Sequence, residues 1–213
     1  MSNNLLATWS SNHDEGLFST VLPDGCRDII LKTTEPEKPI CFVSPLFDTP
    51  ETVYVEVNTR FQGLRLKPGV EVKENDLLDY FHSKDVAASE LEEVLDDFTS
   101  LSPAIDEALA CLASDVDSVK QASGRLGVST RTLQRLILNK TQRTPGYWFQ
   151  LARIRKAAKS LHSAENLSCI ADMHGFSDQS HMNREFQRWL NATPTQLLNT
   201  PELIEQLKGK GYG

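Results

Sequence analysis

The sequence lacks the features that mark a membrane-spanning or exported protein. Its 213 residues contain no apolar run as long as the ~18 residues that a transmembrane helix needs. The first nine residues do not show the basic region followed by an apolar core that is typical of a signal peptide. We therefore expect no membrane partner and a cytoplasmic location.

Cysteine is scarce and widely spaced. The four cysteines are Cys26, Cys41, Cys111 and Cys169, and no two of them have the CxxC spacing of a zinc site. We therefore expect no metal site. Reduced, partly buried thiols are the usual state of cysteine in the cytoplasm, and we predict that state here.

Recognisable catalytic patterns are missing as well. No Ser/His/Asp set, Gly-rich phosphate loop or carboxylate pair can be argued from local spacing. We therefore expect neither enzymatic activity nor a cofactor. Asp24, Arg27 and Asp28 could form a ligand site, but a turn that is simply polar explains them better, so the cofactor-binding residues stay unknown.

Negative charge dominates the chain but is unevenly distributed. The net charge is −7. Residues 1–98 contain 8 Lys and Arg against 19 Asp and Glu, a net charge of −11, whereas residues 118–198 contain 12 against 4, a net charge of +8. The basic part can meet phosphates, and the acidic part would be repelled by them. A nucleic-acid partner is therefore compatible with the negative total.

Residues 1–98 read as a mostly β domain. Short runs of β-branched and apolar residues, separated by Pro- and Gly-containing turns, predict strands at residues 17–22, 27–32, 40–43, 53–57 and 61–67. Several short strands in so few residues are typical of a small barrel or sandwich. Helices are predicted at residues 75–81 and 89–98.

The rest of the chain reads as helical. Residues 96–102 mark a boundary, after which Ser102-Pro103 has the form of an N-cap followed by proline. Residues 103–199 form the second predicted domain, and residues 200–213 a C-terminal tail. Seven helices are predicted, at residues 103–113, 118–126, 129–139, 145–161, 167–174, 178–190 and 194–199.

The helical part contains one pattern twice. Each copy has a helix, a short turn, a second helix and a Thr-Pro pair. Gly127 and Gly175 stand where a chain leaving a helix needs a positive φ, and Ser129 and Ser177 can cap the helices that follow. The pairs that act as N-cap and first helical residue are Thr144-Pro145 and Thr193-Pro194, the latter with Gln196 as a capping box. Such a helix pair presents its second helix to a DNA major groove.

The second helix of each copy separates packing side chains from side chains that can reach a base. The inward positions are apolar: Leu133, Leu136, Ile137, Met182, Phe186 and Trp189. The outward positions, predicted to bind DNA, are Thr130, Arg131, Gln134, Arg135, Gln179, Ser180, Asn183, Arg184 and Arg188. Arg pairs with guanine, Asn and Gln pair with adenine, and Ser or Thr can join either. Solvated faces of an ordinary helical domain are the alternative, which the repeat, the turns and the charge distribution together disfavour.

A longer helix lies between the two copies. Its apolar stripe predicts a rigid rod that would hold the copies about one DNA turn, roughly 34 Å, apart. Four basic residues are expected to contact phosphates or to lie plainly on the surface: Lys140, Arg153, Lys156 and Arg188.

Residues 118–198 resemble the double helix-turn-helix domain of the AraC/XylS family of bacterial transcription regulators. The resemblance rests on Leu126-Gly127-Val128-Ser129 and, most strongly, on Ile170-Ala171 with Gly175-Phe176-Ser177-Asp178-Gln179-Ser180-His181-Met182. Asn191 stands where the family has glycine, but asparagine tolerates the left-handed conformation. The N-terminal part more weakly resembles the β-rich domain of some of these regulators. In the family such domains sense small molecules, mediate dimers, or do both.

The resemblance implies an α+β chain with a β-rich regulatory domain and a double helix-turn-helix domain. The implied partners are double-stranded promoter DNA, RNA polymerase, a small-molecule effector and a second copy of the chain bound through residues 1–98, at the nucleoid in the cytoplasm. An effector-binding switch centred on the β domain is the second hypothesis. Some relatives carry out DNA repair with reactive cysteines, but Cys26 and Cys41 lack the basic and metal-ligand context for it.

Overall fold

The structure is a computed structural model that describes residues 2–84, 88–162 and 166–213. The chain divides into two compact units. Unit 1 comprises Met1–Ser19, Cys26–Leu46 and Thr52–Ser102, and unit 2 comprises Thr20–Gly25, Phe47–Glu51 and Pro103–Gly213. Two short segments from the first quarter of the chain therefore belong to the unit that contains the C-terminal helices.

An antiparallel sheet forms the centre of unit 1. The strands of the described residues are β1 (Leu5–His13), β2 (Leu17–Val21), β3 (Asp28–Thr34), β4 (Ile40–Val43), β5 (Glu51–Val55), β6 (Thr59–Leu66), β7 (Glu71–Val72) and β8 (Thr99–Ser100). Four of them form a sheet in the order β1-β6-β3-β4, and two further pairs, β2-β5 and β7-β8, form two-stranded sheets. The register aligns Trp9, Gly63, Ile30 and Phe42 across the four strands.

Three short helices pack with the four-stranded sheet. They are α1 (Glu74–Ser83), α2 (Ala88–Glu93) and α3 (Leu95–Phe98). Their buried residues Leu77, Leu91 and Leu95 join the buried strand residues Ile29 and Leu66 in one apolar core. Alternation along β3 and β6 produces this core, because every second side chain of a strand faces the same side of the sheet.

The β domain differs from the prediction in its closure, in three strands that were not predicted (β1, β7 and β8) and in one helix. The α+β class is confirmed, but the described strands form open sheets rather than a closed barrel. The strand β1 was not predicted, because its sequence LLATWSSNH alternates between apolar and polar residues only over residues 7–10. The helix predicted at residues 89–98 is broken at Val94 into α2 and α3.

Ion pairs occupy two of the three residues that were weighed as a ligand site. Arg65 donates to both carboxylate oxygens of Asp28, at 3.0 Å each. Arg27 pairs with Glu74 at 2.8 Å and donates to the carbonyl of Ser44 at 2.9 Å. These contacts tie β3 to β6 and to α1, so Arg27 and Asp28 have structural roles.

Unit 2 is built from helices. Those of the described residues are α4 (Pro103–Ala113), α5 (Val119–Arg125), α6 (Thr130–Thr141), α7 (Pro145–Lys159), α8 (Leu167–Met173), α9 (Gln179–Leu190), α10 (Pro194–Leu198) and α11 (Pro201–Lys208). All seven predicted helices are confirmed to within a few residues at their ends, and α11 is an eighth. Among the described residues, no helix has the length and apolar character needed to cross a bilayer.

Residues 200–213, set apart above as a tail, fold onto unit 2. The side chain of Tyr212 is 4% exposed, and its hydroxyl donates to the carbonyl of Leu109 at 2.9 Å. Its backbone N–H donates to the carbonyl of Asp24 at 2.8 Å. Gln206 of α11 donates to the carbonyl of Thr20 at 2.6 Å. The C-terminal segment and residues 20–25 therefore hold each other in place within unit 2.

Residues 47–51, the other short segment that belongs to unit 2, contact the connection between α6 and α7 and the start of α7. Asp48 forms an ion pair with Arg143 at 2.7 Å. The Tyr147 hydroxyl donates to the carbonyl of Phe47 at 3.3 Å. Burial raises the pKa of the Tyr147 hydroxyl, and the ion pair raises the pKa of Arg143, chiefly through its hydrogen bond to Asp48. Residues 47–51 thus stabilise the start of α7.

Candidate nucleic-acid interface

The first helix-turn-helix copy consists of α5, a turn and α6. Ser118 caps α5 by accepting from the N–H of Gln121 at 3.2 Å. Gly127 has φ +67, as predicted, and nothing lies within 4 Å of the position a Cβ would take, so the glycine is needed for its backbone angle alone. Ser129 then caps α6 by accepting from the N–H of Thr132 at 3.1 Å.

Helix α6 has a buried side and an exposed side. Leu133 and Ile137 are fully buried, whereas Leu136, predicted to point inward, is only half-buried. Arg131, Gln134 and Arg135 are exposed, and Thr130 is half-buried, with its hydroxyl 3.1 Å from that of Ser123. Three of the four candidate DNA-binding residues of this copy are therefore exposed to solvent.

The second copy consists of α8, a turn and α9. Asn166 caps α8 by accepting from the N–H of Cys169 at 2.9 Å, and Gly175 has the predicted positive φ, +69. The cap predicted at Ser177 is wrong, because Asp178 caps α9 by accepting from the N–H of His181 at 2.6 Å. A carboxylate at this end of a helix also complements the helix dipole.

His181, in the first turn of α9, contacts the two residues of the preceding turn, Phe176 and Ser177. The N–H of Ser177 donates to Nδ1 of His181 at 3.3 Å, and the imidazole lies edge-on to the Phe176 ring, with centroids 5.6 Å apart. The histidine ring therefore closes the turn against the first residues of the helix.

Helix α9 presents a longer exposed side than α6. Met182, Phe186 and Trp189 form the predicted buried stripe. The exposed candidates are Gln179, Ser180, Arg184 and Arg188. Asn183 is half-buried, and its Oδ1 is buried without a hydrogen-bond partner among the described residues. An adenine edge needs both amide atoms, so only the amide nitrogen of Asn183 remains to face outward in this rotamer.

The long helix α7 departs most from its predicted role. Thr144 caps it, with Pro145 at the first turn, as predicted. Arg155 is 1% exposed, although an arginine is by default placed on the surface. Arg153, expected on phosphates or the surface, is half-buried and directed at the turn of the second copy. Sequence patterns assign charged residues to the surface by default, so the burial of these two arginines could not be read from spacing.

Burial lowers the pKa of two basic side chains near the second copy, His174 and Lys159. Desolvation lowers the pKa of His174, with a smaller contribution from the charge of Lys156. The His174 Nε2 lies 2.9 Å from the hydroxyl of Ser160. Desolvation, Arg155 and Lys156 lower the pKa of Lys159, which donates to the carbonyl of Gly213 at 2.6 Å. His174 therefore stays neutral at neutral pH and serves as a hydrogen-bonding link between the end of α7 and the turn.

The cysteines do not form a reactive centre. None of the four takes part in a disulfide. Cys26 and Cys41 are buried, and burial raises the pKa of the Cys41 thiol to about 11. A thiol with that pKa is almost entirely protonated at neutral pH and is a poor nucleophile. Within residues 2–84, 88–162 and 166–213, no group of three His, Cys, Asp or Glu side chains could hold a metal ion.

Comparison with known proteins identifies the class to which this geometry belongs. Residues 122–200 match the family described as a helix-turn-helix domain. The HTH-type transcriptional regulator RipA of Corynebacterium glutamicum is 33% identical over 92 residues, which cover 43% of this chain and 28% of that regulator. The chain therefore aligns with less than a third of this curated relative.

Two solved structures resemble the chain at low identity. An AraC-type transcriptional regulator from Chromobacterium violaceum aligns with a TM-score of 0.42 and 21% identity, over 51% of this chain and 96% of that one. ToxT from Vibrio cholerae O395 aligns with a TM-score of 0.49 and 11% identity, over 96% and 98%. The two capped, glycine-turned copies and the sequence match define a double helix-turn-helix domain. Residues 122–200 therefore form a helix-turn-helix domain.

Proposed function

We propose that this chain is a sequence-specific transcription regulator that reads two successive major-groove segments of promoter DNA through α6 and α9. The observation that carries the proposal is the shared design of the two helices. Each follows a glycine turn, buries an apolar stripe and exposes arginine and amide side chains. Helices of that kind enter the major groove in helix-turn-helix proteins. The chain would act at DNA in the cytoplasm.

We assign the side chains to roles by their chemistry. Arg135 and Arg184 are the proposed guanine contacts, because an arginine fork matches two acceptors of guanine. Gln134 and Gln179 can pair with adenine. The other proposed DNA-binding residues, which contact bases or the backbone, are Thr130, Arg131, Ser180, Asn183 and Arg188. Thr130 and Asn183 are only half-exposed and are the weakest of the nine.

Binding to selected DNA tests the proposal. A site is first selected from random duplexes with the full chain, and the affinity is then measured by fluorescence anisotropy. Arg135→Ala and Arg184→Ala should each cost about 1–3 kcal/mol and relax the preference at one base pair. Lys208→Ala is the matched control, because Lys208 is exposed on α11 and pairs with Glu205, so its loss removes one positive charge elsewhere.

Two results would contradict the proposal. One is that no duplex is enriched by the full chain. The other is that both arginine variants keep the affinity and the sequence preference of the unchanged protein. A loss of affinity that is equal for all sequences would instead assign the altered arginine to the phosphate backbone.

A second candidate function is an effector-controlled switch. It is favoured by the division of the chain, because residues 20–25 and 47–51 belong to unit 2 while the strands before and after them continue into unit 1. We propose that a small molecule bound by residues 1–98 alters DNA binding through these two segments. A metabolite thermal-shift screen on the full chain, followed by anisotropy with each hit, tests this. If every small molecule that binds leaves the DNA affinity unchanged, the effector-controlled switch is contradicted, while the proposed DNA-binding function is unaffected.

Two further partners are proposed. A second copy of the chain is supported by the exposed pair Phe18 and Tyr54 of β2 and β5, whose side chains are 76% and 60% exposed with ring centroids 5.2 Å apart. Analytical ultracentrifugation of the unchanged chain and of Phe18→Ser tests this contact. RNA polymerase is proposed from the resemblance to AraC/XylS regulators alone, and reconstituted transcription from the selected site tests it.

A further inference from the structure

A single arginine of α7 contacts the turn of the second helix-turn-helix copy. The Nη1 of Arg153 donates to the carbonyl of Gly175 at 3.2 Å, and its guanidinium carbon lies 4.4 Å from the centroid of the Phe176 ring. Its Nη2 donates to Oε1 of Gln150 at 2.5 Å, which fixes the rotation of the group. Gly175 and Phe176 set the direction in which the chain enters α9, so Arg153 acts on that direction.

These contacts require a guanidinium. A planar guanidinium can lie on an aromatic ring while its edge donates to a carbonyl, whereas the ammonium of lysine is a compact charge that cannot do both. The Nε of Arg153 is buried and has no hydrogen-bond partner among the described residues. The half-buried side chain is therefore held against the turn by its hydrogen bond to Gly175 and by the Phe176 ring.

The same helix also carries the first copy. Helix α6 ends at Thr141, its C-cap Gln142 has the left-handed conformation with φ 56, and α7 begins after Thr144, so only residues 142–144 join the two helices. Helix α7 also meets the second copy, through Arg153 at the turn before α9 and through the ring of Tyr147, whose centroid lies 5.2 Å from that of Trp189 in α9. One continuous helix therefore links the two helices proposed to read DNA.

We propose that Arg153 is a positioning residue that sets which spacing between two half-sites the protein accepts. The proposal rests on the DNA-reading function proposed above. Each inserted base pair rotates the second half-site by about a tenth of a turn and moves it about 3.4 Å. A rigid link from α7 to α9 rejects that displacement. With the link loosened, α9 follows the displaced half-site but binds the original spacing less tightly.

The test compares spacing variants of the selected site. Anisotropy is measured on duplexes with the original spacing, with one base pair inserted or deleted, and with either half-site scrambled. The proteins are the unchanged chain, Arg153→Lys and the charge control Lys208→Ala. We expect Arg153→Lys to lose about tenfold in affinity at the original spacing and to reduce the penalty for an insertion from about tenfold to near unity. Affinity for the duplex with only the first half-site intact should change by less than about twofold.

The outcomes separate this proposal from the one on which it rests. If the unchanged chain selects no site, the DNA-reading function fails first. If Arg153→Lys weakens every duplex by the same factor, Arg153 contacts phosphate or supports the fold in general, and the positioning role is wrong. Unchanged spacing ratios would overturn it too. If Arg153→Lys does not fold, Phe176→Leu removes the ring under the guanidinium and keeps an apolar filler, and the same relaxation of spacing is expected from it.

Discussion

The hydroxyl of Tyr212 lies 2.9 Å from the carbonyl oxygen of Leu109, 103 residues earlier in the chain, and both atoms are buried. The tyrosine ring stands edge-on to the ring of Trp148, with centroids 4.9 Å apart. Burial raises the pKa of this hydroxyl, so it remains a donor across the whole neutral range. The last residues of the chain are thereby part of the core around α4 and α7.

We first predict the contribution of that hydroxyl. Tyr212→Phe should lower the free energy of unfolding by about 0.5–1.5 kcal/mol, the usual value of one buried hydrogen bond, and Tyr212→Ala by about 3–5 kcal/mol, because it also leaves a cavity. Urea denaturation followed by tryptophan fluorescence measures both. Met173→Ala, at a side chain that is 68% exposed, should change stability by less than about 0.5 kcal/mol. Equal stability of Tyr212→Ala and the unchanged protein would show that the C-terminal segment is not docked in solution.

A pair of glycine substitutions should act in opposite directions. Gly25 has φ +75, and a Cβ there would lie 2.7 Å from Cβ of Tyr212 and 3.0 Å from Trp148, so Gly25→Ala should destabilise by at least about 2 kcal/mol. Gly124 lies within α5 with nothing within 4 Å of its Cβ position, and Gly124→Ala should stabilise by about 0.5–1 kcal/mol. Thermal and urea unfolding of both variants provide the check. A neutral Gly25→Ala would contradict the packing of residues 20–25 in unit 2.

Stability should fall in mild acid partly because of His174. Burial lowers the pKa of this histidine in the folded state, so the unfolded chain takes up the proton first. The contribution of His174 is therefore fully present above the unfolded pKa of about 6.5 and is lost as the pH falls through the lower, folded pKa. His174→Gln should flatten the pH dependence of the unfolding free energy between the unfolded and the lower, folded pKa, measured by urea denaturation in steps of pH. Parallel curves for the two proteins would show that His174 is not buried as a neutral ring.

Thiol reactivity should separate the cysteines. Cys169 is exposed, and Cys41 is buried with its pKa raised to about 11. In the native protein at mildly alkaline pH, Ellman's reagent should modify Cys169 rapidly and Cys41 only after unfolding. Cys169→Ser, which should remove the fast phase, is the control. Fast labelling of Cys41 in the folded chain would revive the reactive-cysteine alternative.

The repeated motif was predictable because its physics is local. Gly127 and Gly175 have the positive φ that their place after a helix requires, and Asn191 has φ 49 where the sequence called for a left-handed residue. The stripe of Met182 and Phe186 follows from helical periodicity alone. Ser177 was the exception, because Ser and Asp are adjacent and equally good caps, and only the path of the turn selects Asp178.

The features that the sequence did not predict depend on contacts between residues far apart in the chain, and no local sequence pattern indicates such contacts. The burial of Arg155 and the contact of Arg153 with Gly175 arise when α7 is surrounded by other elements. The role of Asp24 and Gly25 depends on a segment almost 190 residues away. For the candidate interface, exposure separates Arg135 and Arg184 from the half-buried Thr130 and Asn183, a distinction that spacing alone did not make.

The inclusion of residues 20–25 and 47–51 in unit 2 limits how this protein can be rebuilt. A chimera that joins residues 103–213 to a foreign sensor would leave Trp148 and Leu151 without Gly25 and Arg143 without Asp48. Residues 1–102 and 103–213 therefore cannot be exchanged as independent domains. A working hybrid, or a recombination event that produced one, would have to carry both short loops along with the reading helices.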